Sequence, residues 1–314
     1  MSEINIEKLI SGERRSLAKA ITLLESQNKE DQVKSNELIT KILDKTGKAI
    51  RLGISGAPGV GKSTFIESLG ILLLNQGRKV AVLAIDPSSP IHGGSILGDK
   101  TRMEKLSIHQ NAFIRPTPSK CKLGGVASRT YETILLCEAA GFDTIIIETV
   151  GVGQSEVDVK NMTDHFSVLI SPKAGDELQG IKKGIIEISD TIIVNKNDGE
   201  LKKHAKQTAN EYQNALNVSQ NEHKTIFTCS ALENNNIDKF WDHIQNSLEN
   251  NQIELKRTKQ RSEYLNKLIL DIIQFKLNNS EFSNLNFKEL IKKVEGNTIS
   301  PLEAATIITD EINF

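Results

Sequence analysis

The 314-residue sequence predicts a doubly wound α/β fold: a mostly parallel sheet between helical layers, with helical extensions at both ends. Three observations carry that expectation. Between residues 48 and 230, short β-branched runs alternate with longer stretches of helical periodicity. Most of the runs are continuously apolar rather than alternating, the pattern of strands covered on both faces. The first of them opens into a glycine-rich turn followed directly by a helix.

In chain order, residues 1–46 form an N-terminal helical extension. Leu17, Ala20, Ile21 and Leu24 recur at i, i+3, i+4 and i+7, an apolar stripe that needs a partner surface. A central domain spans 47–250, with strands expected at 49–55, 79–86, 144–150, 166–171, 191–195 and 224–230. The Asn-rich stretch from 233 to 251 reads as a loop, a helix and a linker. Residues 251–314 form a helical extension expected to dimerise. Leu265, Leu268, Ile269 and Ile272 repeat the helical spacing, as do Phe287, Leu290, Ile291 and Val294, with Gly296 set to end that helix. Ser300-Pro301-Leu302-Glu303 then supplies an N-cap, a first-turn proline and a capping-box glutamate.

Composition narrows the function. Basic and acidic side chains number 39 and 40, interspersed along the chain, which argues against nucleic acid as the main partner. No apolar run approaches the roughly 18 residues needed to span a membrane, and the start, MSEINIEKLI, lacks the basic and apolar regions of a secretory signal. Cys121, Cys137 and Cys229 make no CxxC pair, so a reduced cytoplasmic protein is expected, with each thiol a small buried hydrophobe.

The first strand leads into Gly56-Ala57-Pro58-Gly59-Val60-Gly61-Lys62-Ser63-Thr64, the GxxxxGK[ST] phosphate loop in its strand–loop–helix setting. The glycines let backbone N–H groups close around phosphate oxygens and the helix N-terminus adds partial positive charge. Lys62 is expected to reach the β- and γ-phosphates, and Ser63 to ligate Mg²⁺. At the end of the fifth expected strand, Asn195-Lys196-Asn197-Asp198 matches the NKxD signature of GTPases. Asp198 can accept from the ring N–H and exocyclic amine of guanine, a donor pair that adenine lacks. Ser230-Ala231-Leu232, after Cys229, resembles the loop whose backbone N–H groups address guanine O6.

Between these motifs lie the metal and switch residues. Asp86 ends the second expected strand, and Asp99 follows the glycine-bearing stretch GGSILGD; both are candidates for holding Mg²⁺ or its waters, against the plainer reading of a loop cap and a solvated charge. Glu148-Thr149-Val150-Gly151 stands where many GTPases carry DxxG: Glu148 is expected to hold a metal-bound water and the Gly151 N–H to sense the γ-phosphate. Val152 occupies the position of the usual water-orienting glutamine, so hydrolysis should be slow unless a partner or another loop completes the site.

GAPGVGKST, DPSSPIHGGSILGDKTRM, LLCEAAGFDTIIIETVGVGQSEVD, AGDELQGIKKGIIEISD and NKND occur in this order and together resemble the MeaB/ArgK family of methylmalonyl-CoA mutase-associated GTPases. The resemblance runs from GERRSLAKAITLLES to GNTISPLEAA, nearly the whole chain. It implies a SIMIBI-like P-loop GTPase domain binding GTP and GDP with Mg²⁺. It also implies a homodimer that gates adenosylcobalamin delivery to, and protects, an adenosylcobalamin-dependent acyl-CoA mutase. Lys62, Asp86, Asp99 and Glu148 match the family's phosphate and metal positions, and Asn195, Lys196 and Asp198 its base-reading positions. Asp176, Glu177, Gln179, Lys182 and Lys183 match a third switch coupled to the mutase, although the residues alone read as a charged loop entering a helix. No DxHxxG cobalamin motif occurs, so cobalamin would sit on the partner. The alternative is a P-loop kinase linked to amino-acid transport, an older label attached to such sequences; NKND with SAL favours the GTPase.

Overall fold

Seven strands build the core: β1 (Ile50–Gly56), β2 (Val80–Asp86), β3 (Ala112–Pro118), β4 (Thr144–Glu148), β5 (His165–Ile170), β6 (Thr191–Val194) and β7 (Thr225–Thr228). They form one sheet in the order β3-β2-β4-β1-β5-β6-β7, and every pairing is parallel. The computed structural model describes residues 4–26, 28–86, 103–118, 125–149, 155–172, 183–218, 224–248, 250–278, 287–296 and 298–311. The chain divides into two units, residues 1–261 and 262–314.

The continuously apolar runs are the central strands: Ile145, Ile146 and Ile147 of β4 and Val168, Leu169 and Ile170 of β5 are fully buried. Six strands stand where the sequence predicts them, with shifted ends. β4 stops at Glu148 rather than 150, and β7 at Thr228 rather than 230. β3 is not among the strands the sequence predicts. Its segment, AFIRPTP, holds two prolines that cannot donate to a ladder, and it is tolerated because β3 is an edge strand pairing only with β2. β1 lies at the centre, with β4, β2 and β3 outward on one side and β5, β6 and β7 on the other, so the chain leaves β1 toward β2 on one side and crosses over it from β4 to β5 on the other. The crevice at the carboxyl ends of the strands, where the order reverses, is therefore at the mouth of β1.

Helices cover both faces. The N-terminal extension is helical and consists of three helices: α1 (Ile6–Ile10), α2 (Arg14–Leu24) and α3 (Lys29–Ile42). Gly12, at φ +85°, breaks the first pair. Asn5 and Asn28 cap α1 and α3 by accepting from Lys8 N at 3.0 Å and Glu30 N at 2.8 Å. The α2 stripe of Leu17, Ala20, Ile21 and Leu24 is buried against α3 and a long helix α6 (Gly125–Ala139), which supplies the partner surface the spacing required. Between them in sequence come α4 (Lys62–Asn75), which buries Phe65, Ile66, Leu69 and Leu73, and the short α5 (Glu104–Ile108). Later elements are α7 (Ser155–Lys160), α8 (Lys183–Ile188), α9 (Lys202–Val218), α10 (Ile237–Ser247) and α11 (Asn250–Asn278). Phe240 of α10 meets Phe65 edge-on, centroids 5.3 Å apart, so α10 packs under α4.

The first turns of α11 belong to the larger unit. Arg257 is buried there, donating Nε to Asp164 Oδ1 (2.8 Å), Nη2 to Asp164 Oδ2 (2.6 Å) and Ala49 O (2.5 Å), and Nη1 to Gly47 O (2.6 Å). Asp164 Oδ2 also accepts from Arg51 N at 2.7 Å, and the Arg51 guanidinium pairs with buried Glu138. The smaller unit continues α11 and adds α12 (Phe287–Glu295) and α13 (Pro301–Glu311). Gly296 follows the end of α12, its N–H bonded to Lys292 O, and Ser300 Oγ accepts from Glu303 N at 3.0 Å, as the sequence predicts. Among the described residues, no helix is long and apolar enough to cross a membrane.

Candidate nucleotide site

β1 delivers the chain to the phosphate loop through Gly56, at φ +147°; a Cβ there would sit 2.4 Å from the Leu169 carbonyl oxygen, so only glycine fits. The loop turns into α4 through Gly61 at φ +93°, where a Cβ would lie 2.6 Å from Asn195 Nδ2. Lys62, the first helical residue, is buried and donates Nζ to Gly56 O at 2.6 Å and to Ala57 O at 3.1 Å, which holds the ammonium at the loop's mouth. Pro58, Gly59 and Thr64 are exposed, and Val60 is buried.

Asn195 follows β6 and is buried. It spans two loops, donating Nδ2 to Val60 O at 2.9 Å and accepting at Oδ1 from Ala231 N at 3.1 Å. Lys196, in the left-handed region at φ +58°, sends Nζ back to Gly59 O at 2.7 Å. Asp198 accepts at Oδ2 from the hydroxyl of fully buried Ser230, which itself accepts from Glu233 N at 3.0 Å. Ala231 is buried while Leu232 is exposed, and Ser68 of α4 donates to Ala231 O at 2.6 Å. The phosphate loop, NKND and SAL thus form one hydrogen-bonded assembly, although more than 130 residues separate the first from the second.

Glu148 ends β4, in register with Ile54 of β1 and Ala84 of β2, so its buried carboxylate stands beside the phosphate loop. Ser63 Oγ donates to Glu148 Oε1 at 3.4 Å. Asp86 ends β2, with its backbone paired to Pro118. Lys183 opens α8; for both residues only the backbone is described. Asp99, Gly151, Asp176, Glu177, Gln179 and Lys182 lie outside the described residues, as does Val152.

Comparison with known proteins places this arrangement. The family described as "Methylmalonyl Co-A mutase-associated GTPase MeaB" matches residues 17–284. The chain belongs to the MeaB family. GTPase ArgK of Escherichia coli is 43% identical over 305 residues, covering 95% of this chain and 92% of that protein. The mouse protein named methylmalonic aciduria type A homolog, mitochondrial, is 40% identical, covering 96% and 77%. Among solved structures, one described as a LAO/AO transport system kinase superposes with a TM-score of 0.77 at 36% identity, covering 98% of this chain and 96% of its own. This MeaB-family chain is therefore a P-loop GTPase, and membership of a GTPase family implies a guanine nucleotide.

The residues present fit a phosphate–metal ligand. Close neighbours, the Leu169 carbonyl oxygen and Asn195 Nδ2, restrict Gly56 and Gly61 to glycine, a Cβ at Gly59 would meet nothing within 4 Å, and the hydroxyl of Ser63 converges with the carboxylate of Glu148, a pair of hard oxygen donors of the kind Mg²⁺ takes. Two groups escaped the sequence reading. One is the double tie of Asn195, whose polar ends serve the protein's own loops. The other is a buried trio, Ser55, Thr149 and Glu156, at the mouths of β1 and β4. Glu156 lies within the segment that carries the family resemblance, but nothing in its spacing announced a buried acid.

Proposed function

We propose that this MeaB-family protein is a GTP-hydrolysing switch that gates adenosylcobalamin delivery to, and protects, an adenosylcobalamin-dependent acyl-CoA mutase of the methylmalonyl-CoA mutase type. The observation that carries the nucleotide half is the tie of Asn195 between Val60 and Ala231, which brings a phosphate loop and a base-reading loop into one rigid site. The partner half rests on membership of a family named for association with that mutase.

In this reading Lys62 neutralises the β- and γ-phosphates, and the backbone N–H groups of residues 56–64 cradle them. Asp198 accepts from guanine N1–H and the 2-amino group, oriented by Ser230; the N–H groups of the Ser230–Leu232 loop face O6, and Lys196 with Asn195 completes the base side. Ser63, Asp86, Asp99 and Glu148 would hold Mg²⁺ or its waters, and the ion would supply neutralisation of phosphate charge. Gly151 reports the γ-phosphate, and Asp176, Glu177, Gln179, Lys182 and Lys183 carry nucleotide state to the mutase. Because Val152 stands where a glutamine would orient the attacking water, the isolated protein is a slow enzyme and a persistent switch.

The protein works in the cytoplasm as a homodimer. Leu265, Ile269, Leu270 and Ile272 of α11 are exposed on a single chain, and a second copy is the surface we assign to them. The structural relative described as a transport-system kinase supports a second reading, phosphotransfer to an acceptor. One assay separates them: phosphate release from GTP with no acceptor present, outcompeted by GDP but not by ADP, supports the GTPase. Turnover only with an added acceptor supports the kinase.

A further inference from the structure

Ser55, Thr149 and Glu156 are each fully buried. The hydroxyls of Thr149 and Ser55 are 2.8 Å apart, and Thr149 Oγ1 donates to Glu156 Oε1 at 3.4 Å. Thr149 N also donates to Ile54 O at 3.0 Å, so the ladder between β1 and β4 continues one residue past the strand. Ser55 immediately precedes Gly56 of the phosphate loop, Thr149 immediately follows Glu148, and Glu156 sits in the first turn of α7. Burying a carboxylate costs free energy unless hydrogen bonds offset it, so an acid at this depth needs a structural or functional reason.

The trio locks the mouth of β4 to the mouth of β1. The distance it fixes is the one between Glu148, on β4, and Ser63, on the helix launched from β1, where the two oxygens approach to 3.4 Å. A carboxylate can aim at a cation only if its backbone is held, and groups behind the ligating residues set that aim. We propose that Thr149 and Glu156 are positioning residues for the divalent cation: Glu156 accepts from the Thr149 hydroxyl, and Thr149 thereby fixes the backbone that directs Glu148. This rests on the assignment of Ser63 and Glu148 to Mg²⁺ made above.

The test is an equilibrium titration rather than turnover. Retention of a fluorescent GDP analogue by the full-length protein is followed as free Mg²⁺ is varied, and its affinity is measured separately in EDTA. Thr149→Val, which keeps the shape and removes the hydroxyl, and Glu156→Ala should each raise the Mg²⁺ midpoint roughly 10-fold or more. Affinity in EDTA should stay within about two-fold and thermal melting should remain cooperative. Glu156→Gln retains an acceptor oxygen and should recover most of the wild-type midpoint; this variant keeps the proposal testable if Glu156→Ala fails to fold. A midpoint unchanged by Thr149→Val while Glu148→Ala shifts it would overturn the positioning role alone. A midpoint unmoved by Glu148→Ala would instead overturn the metal assignment beneath it. A Gln variant as impaired as the Ala variant would refute the acceptor role of Glu156.

Discussion

Arg257→Ala should destabilise the larger unit far more than a typical substitution on a helix rich in exposed charges. The guanidinium makes four hydrogen bonds, two to the Asp164 carboxylate and two to the carbonyls of Gly47 and Ala49, and the two charged side chains are 4% and 0% exposed. Truncation leaves a buried carboxylate whose remaining hydrogen-bond donor among the described residues is the Arg51 N–H, and frees the segment that leads into β1. Removing one partner of a buried pair costs about 3–5 kcal/mol. At about 2–4 °C per kcal/mol for domains of roughly this size, melting should fall by roughly 6–20 °C. Thermal and urea unfolding followed by circular dichroism would read the loss. A double-mutant cycle with Asp164→Asn should show the double variant losing clearly less than the sum, because the second change removes the stranded charge. A loss under about 1 kcal/mol, the value for an exposed ion pair, would refute the claim that this clasp anchors α11.

Three further outcomes are expected. Burial pushes the His165 imidazole down to about 4 from its ordinary 6.5, so the unfolded chain takes up its proton first. That stability is whole above pH 6.5 and drains between 6.5 and 4, by roughly 3 kcal/mol; melting temperatures across that window should fall less steeply in His165→Gln, and identical slopes would count against it. Asp198→Asn should weaken GTP binding by roughly 100-fold and favour xanthosine triphosphate, since an amide donates where the carboxylate only accepts; equal competition by ATP and GTP in the unmodified protein would contradict the base assignment. Sedimentation at micromolar concentration should show a dimer that Leu265→Glu combined with Ile269→Glu converts to a monomer, whereas a dimer in that variant would exclude α11 as the interface.

The parts of this molecule legible in its sequence are those whose physics is local. GAPGVGKST and NKND each place their chemistry within a few residues of a strand end, and β4 and β5 announce themselves because a strand covered on both faces is apolar at every position. The α2 stripe and the Ser300 cap are legible for the same reason. β3 was hidden because edge strands escape the two constraints that make a strand recognisable, full apolarity and a complete ladder, so Pro116 and Pro118 read as a loop. The buried charges were hidden more deeply. Arg51 reads as an interruption of an apolar run, and Arg257 as one more cation on a charged helix; only the tertiary neighbours Glu138 and Asp164 turn them into core residues. Asn195 was readable as a motif residue, but not as the strut between Val60 and Ala231, because neither loop is near it in sequence.

A switch of this kind must carry its nucleotide state to the mutase. The most direct measurement is phosphate release from GTP by the full-length protein, alone and with the adenosylcobalamin-dependent acyl-CoA mutase of the same organism. The mutase should raise the rate at least ~10-fold, about 1.4 kcal/mol of barrier. Lys182→Ala combined with Gln179→Ala should cut that stimulation while GTP affinity holds. No stimulation together with no nucleotide-dependent complex between the two proteins would contradict the account.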